Sequence, residues 1–186
     1  MGKFLQSRAG QTPASELEDG NYLTVSGLRS LIAGNFHLFQ LKPRPGTPLE
    51  AISECFLMIH EKGIFVLLQC HRSGIIHGDA PAEQWTCFNY LGDRTEFENP
   101  LLANKRNIAT LSAMLKLPME CFHSCILFDN ECELRRIPAN NPQRSIIWAD
   151  QVETHFARLL PQLPGSYSHT QLDALRDIFL LVSGEG

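Results

Sequence analysis

Gln69, Cys70 and His71 close an apolar run in the stretch GIFVLLQCHRSGIIHG, Gly63 to Gly78, and a short glycine-bounded return follows them. A strand that ends on polar side chains next to a turn presents those side chains at a sheet edge. His71 there could take or give a proton near neutral pH. The thiols offer a different chemistry. CFHSCILFDNEC brings Cys121, His123, Cys125 and Cys132 close together in sequence. Their spacing lacks the paired short knuckles of structural zinc, and alternation along a strand explains it as well, so no metal is expected there.

The rest of the composition removes whole classes of function. With 186 residues the chain is long enough for one well-filled core. A net charge of −4 argues against binding nucleic acid by bulk charge. The local exceptions are Lys105, Arg106 and Lys116 on one predicted helix and Arg135 with Arg136 after a predicted strand. The six cysteines, several inside apolar runs, read as reduced and buried. No apolar run approaches the roughly 20 residues that cross a bilayer, so no membrane association is expected. MGKFLQSRAG lacks the apolar segment of a secretory signal, and Gln6 stands where a myristoylation signal needs Ser or Thr. The expected location is cytoplasmic.

Around these residues the pattern predicts alternating helices and strands. Residues 1–15 read as a flexible lead-in, 16–165 as one domain and 166–186 as a C-terminal helix packed on it or lying at an interface. Tyr22, Val25, Leu28 and Ile32 recur at helical spacing, which predicts a first helix from Gly20 to about Ala33. A strand from Phe36 to Leu41 ends at PRPGTP. AISECFLMIH and GIFVLLQC, joined by EKG, predict a hairpin, and their unbroken apolarity predicts a sheet covered on both faces. SGIIHGD is a third strand, and EQWTCFNY with LGDRTEFENP an edge segment and loop. Asn99 before Pro100 is a strong helix start, with Leu101, Ile108, Leu111 and Leu115 facing inward. Strands at CFHSCILF, ECELRRI and RSIIWA follow, then a helix after Asp150 and another after Ser168, where Ser168 and Gln171 have capping-box spacing. The fold class is α/β, a mixed central β-sheet flanked by α-helices.

From about Leu49 to Ile137 this order resembles the nuclease-related domain, or NERD, family of the restriction-endonuclease-like PD-(D/E)xK superfamily. The stretches that carry the likeness are GIFVLLQCHRSGIIHG with EQW after it, TEFENPLLANKRNIATLSAML, and SCILFDNECELRRI. The resemblance implies a hairpin whose strand ends in a catalytic Glu-x-Lys, a Gly-x-Ile-x-Gly return with its tryptophan, and an Asn-Pro helix packed on the sheet. It also implies one or two Mg²⁺ ions held by carboxylates, which supply Lewis acidity and a hydroxide for attack on phosphorus.

Counted from Gly63, the family's Asp position falls on Cys55, its Glu on Leu68 and its Lys on Cys70. Neither a hard oxygen ligand nor a permanent cation stands at any of them, and Gly20 is followed by Asn21 where the family has Gly-Glu. A one-residue shift restores a set: Glu54 beside the Asp position, Gln69 for Glu and His71 for Lys, with Asp79 or Glu18 as a further carboxylate. Such a shift asks the hairpin to slip, which exchanges the faces of every residue involved. The leading expectation is therefore a catalytically inactive nuclease-like domain that binds without cleaving. Its partner is a protein or a second copy, through LDALRDIFLLVSG, or else DNA or RNA through Lys105 and Arg106. No cofactor goes with this reading. The alternative is a divergent Mg²⁺- or Mn²⁺-dependent nuclease using Glu54, Gln69 and His71.

Overall fold

The computed structural model describes residues 23–163, 165 and 167–184. The lead-in, Glu18 and the start of the first helix at Gly20 lie outside them. Thr24 opens the first described element, accepting from Gly27 N at 3.0 Å and capping α1 (Val25–Leu31). β1 (Phe36–Leu41), β2 (Cys55–His60) and β3 (Gly63–Cys70) follow as an antiparallel meander. β7 (Phe122–Phe128) and β9 (Arg144–Trp148) then add in parallel, giving the order β1-β2-β3-β7-β9.

Where the pattern predicted one sheet, a second is present. β4 (Gly74–His77), β5 (Gln84–Phe88), β6 (Arg94–Glu98) and β8 (Cys132–Arg135) form a four-stranded sheet in the order β6-β5-β4-β8. RTEFE has no alternation of apolar residues, a pattern that predicts loop, yet it forms β6 with Phe97 buried. Tertiary pairing decides it: a turn tied by Asn89 to the Leu91 and Asp93 amides folds β6 back on β5. The two sheets meet over Trp85, whose ring stacks on Phe128 at 6.3 Å and donates to Asp79 O at 3.0 Å. Two glycines in the return make room for this. A Cβ at Gly78 would stand 2.2 Å from the Trp85 ring, and Gly74, at φ +107°, lies 2.2 Å from Phe88 O by the same measure.

The five-stranded sheet is covered on both faces, as its continuous apolar strands require. On one side lie α2 (Pro100–Leu115) and α4 (His169–Ser183), over Cys55, Leu57, Val66, Leu68 and Ile126. On the other lie α1 and α3 (Val152–Leu159), over Leu38, Phe56, Phe65, Leu67 and Leu127. Asn99 is fully buried; it accepts from Leu101 N and donates to the carbonyls of Asp79, Ala80 and Ala82, so one residue caps α2 and holds the β4–β5 loop. Ser168 and Gln171 make both bonds of the predicted capping box on α4. Among the described residues no helix is long and apolar enough to cross a membrane.

Candidate functional site

β3 divides the residues of interest between its two faces. Alternation along the strand sends Leu68 and Cys70 to the α2 side and Gln69 to the α1 side. The hairpin keeps a regular register, Phe56 opposite Leu67 through His60 opposite Gly63, with Glu54 just before β2 and Gln69 near the end of β3. No slippage is needed to gather the shifted set. Glu54, Gln69 and His71 line one cavity of about 330 Å³ at the sheet end, together with Thr24, Gln40, Phe56 and an edge of Cys55.

The α2 face of the same strands is filled. Cys55 is 2% exposed and Leu68 7%, and Cys70 packs half-buried against the same core. Burial pushes the Cys55 thiol up to about 12, with the Asn107 side chain pulling the other way. Burial does the same to Cys70, to about 12, although the nearby Arg72 guanidinium opposes it. Thiols held this far from ionisation are neither hard-metal ligands nor nucleophiles at neutral pH. Leu68, at the family's Glu position, has no donor atom. These residues do not fit a Mg²⁺ site, and no step is derived through one there.

The cavity has a different electrostatic character. Glu54 Oε1 lies 3.1 Å from Lys42 Nζ and accepts from Gln40 Nε2 at 3.0 Å. His71 Nδ1 is 3.2 Å from Asp129 Oδ1, on the turn after β7. Each charge that could serve the cavity already has a counterpart. What positions Glu54 comes from across the sheet: Asn107, buried on α2, accepts from Ser53 N at 2.8 Å and donates to Ser53 O at 3.2 Å, fixing the chain just before Glu54. Nothing in the sequence links Asn107 to Ser53, and only the packed helix makes that contact.

The other predicted site residues are dispersed. Lys105 and Arg106 are both exposed on α2, and Arg106 pairs with Glu98 at the end of β6. Cys121 and Cys132 belong to the core under α2, whereas Cys125 is buried on the α1 side, its thiol raised by burial to about 12. His123 stacks on Phe65 and bonds Pro142 O at 3.0 Å. Asp79 lies at the foot of Trp85 and is not a cavity residue. Among the described residues no three His, Cys, Asp or Glu side chains are grouped closely enough to hold a metal ion.

A hairpin in the middle of the sheet, a glycine-bounded return clasping a tryptophan, and an Asn-Pro helix across the sheet stand together in one stretch of chain. Residues 56–129 match the nuclease-related domain family. The matched stretch runs from β2 to the turn after β7. It includes Leu68 to His71 and stops short of Glu54 and Cys55. The chain is also 23% identical over 97 residues to a Bacillus anthracis protein described as uncharacterized, across 52% of this chain and 45% of that relative. It therefore spans less than half the length of the relative it matches. No solved structure matches. The match to the nuclease-related domain and the observed mixed α/β architecture agree with a restriction-endonuclease-like fold.

Proposed function

We propose that this chain is a non-cleaving binding module built on the nuclease-related fold. The observation that carries the reading is the replacement of all three catalytic positions of the resemblance by Cys55, Leu68 and Cys70, packed into or against the core under α2. A metal there would need carboxylates where the protein has buried apolar surface and un-ionised thiols. Two surfaces are left for binding. α4 exposes Leu181 at 81% and Ile178 at 42%, apolar area suited to a protein partner or a second copy. The sheet-end cavity, with Lys105 elsewhere on the surface, suits nucleic acid. The test is incubation of the purified protein with single- and double-stranded DNA and RNA in Mg²⁺ and in Mn²⁺, with mobility shift and sedimentation in parallel. Retained strands or a defined assembly without cleavage is the expected result; metal-dependent cleavage by the pure protein would overturn the reading.

A second reading, a divergent metal-dependent nuclease, is favoured by the convergence of Glu54, Gln69 and His71 on one cavity. Glu54 would hold the ion and His71 would orient or deprotonate water. Calorimetry with Mn²⁺ on the wild type and Glu54→Ala separates the two readings. Saturable binding removed by the substitution supports the nuclease, and no heat from either protein supports the module.

A further inference from the structure

The sheet-end cavity has a wall whose formal charges are matched while one of its amides is not. Lys42 and Gln40 engage Glu54, and Asp129 engages His71. The Gln69 side-chain amide, by contrast, makes no hydrogen bond to another described residue, although it lines the cavity beside Gln40. A carboxamide sets a donor and an acceptor side by side in one plane. The ligand complementary to it is planar, uncharged at the contact and carries an adjacent acceptor and donor of its own. Nucleobase edges have that form, and glutamine pairs with the adenine edge through two such bonds. Leu23, Cys55 and Phe56, nearly covered by their neighbours, add small apolar edges to the wall beside the amide. At about 330 Å³ the space lies at the small end of the roughly 300–1,000 Å³ of ligand pockets, the scale of one base with its sugar.

We infer that this cavity takes a single nucleobase, read on its edge by Gln69. This rests on the nucleic-acid arm of the binding-module reading. A bare cation is the poorer occupant, because the cavity's carboxylate is already neutralised by Lys42.

The base is supplied by a strand or by a free nucleoside, and the experiment separates them. Fluorescence anisotropy compares an oligo-dA dodecamer with an abasic strand of the same length, and calorimetry measures adenosine alone. One base read on its edge by an amide is worth about tenfold in affinity. The wild type is therefore expected to bind oligo-dA about tenfold more tightly than the abasic strand. Gln69→Leu, at a half-buried position, should erase that preference, bringing oligo-dA down to the affinity of the abasic strand, with circular dichroism checking its fold. Adenosine binding lost in Gln69→Leu, with no strand bound, supports the pocket and assigns it to free nucleosides. Equal binding of both strands by the wild type overturns the pocket and leaves the nucleic-acid reading standing. Binding of neither strand nor adenosine overturns both.

Discussion

Glu54 and Cys55 are neighbours in the chain, as are Leu68 and Gln69, yet each pair is split between two environments. On the α2 side Cys55 and Leu68 join a core shared with Ile126 and Phe128, with Cys55 also reaching the cavity wall. On the α1 side Glu54 and Gln69 border a cavity, with Thr24 above them. The one-residue offset that changes the side of a strand changes the chemistry on offer, from buried thiol and hydrocarbon to amide, carboxylate and imidazole. A sheet can therefore lose one set of functional positions to packing and keep polar groups at the same end, because the two faces answer to different neighbours.

The strongest way to break this contrast is to restore the family's residues on the filled face. Leu68→Glu puts a carboxyl where burial raises its pKa by several units, each worth about 1.4 kcal/mol. A loss of about 4 kcal/mol or more at pH 7 is expected from urea unfolding. The sign follows from the raised folded pKa: the penalty grows by about 1.4 kcal/mol per pH unit above the ordinary value near 4 until the pH passes the folded pKa, and it fades as the pH falls toward 4. A variant as stable as the wild type at pH 7 would show that this face is wet. Asn107→Ala comes next. It leaves the Ser53 N–H and C=O without their partner, for a loss of about 2 kcal/mol, and it frees the chain before Glu54, so ligand binding at the cavity should weaken as well. Unchanged stability would mean that water replaces the amide and that the two faces are uncoupled.

Smaller effects sharpen the picture. At the far end of the hairpin, buried His60 accepts from Lys62 N at Nδ1 and meets Ala33 O through Nε2, which assigns the proton to Nε2. Burial lowers its pKa below 6.5, partly offset by the bond to Ala33. The unfolded chain therefore takes the proton more readily, and stability present above about pH 6.5 is lost as the pH falls through the lowered value. Comparing unfolding of the wild type and His60→Gln at pH 7.5 and 5.5 checks this; an equal pH dependence in both would assign the effect elsewhere. The smallest change is Glu54→Ala. Its partner Lys42 is largely exposed, so stability should move by no more than about 0.5 kcal/mol in thermal unfolding. A larger loss would make Glu54 a structural residue and remove it from the site.

Much of the fold was legible because local rules and tertiary packing agree. The continuous apolar runs at β2 and β3 predicted a sheet covered on both faces, and Asn99-Pro100 and Ser168 to Gln171 marked their helices through capping chemistry. β6 and the second sheet were not legible. RTEFE gains its strand state from β5 and from Phe97 against Trp85. The site was legible as a list of residues and not as a place. Alternation separated Gln69 and His71 from Cys70, but the gathering of Glu54 with them follows from a hairpin register that the turn and the core fix together.

By itself the sequence determined which chemistry is available: no hard ligand at positions 55, 68 and 70, and a carboxylate, an amide and an imidazole one residue away. Tertiary structure decided which of these groups meet and which are buried, because facing depends on what packs on each side of the sheet. α2 and α4 close one face over Cys55 and Leu68, while on the other the described residues border a cavity at the sheet end. Residue type sets what a side chain can do. Its neighbours across the fold, none of them near in sequence, set whether it meets anything to act on.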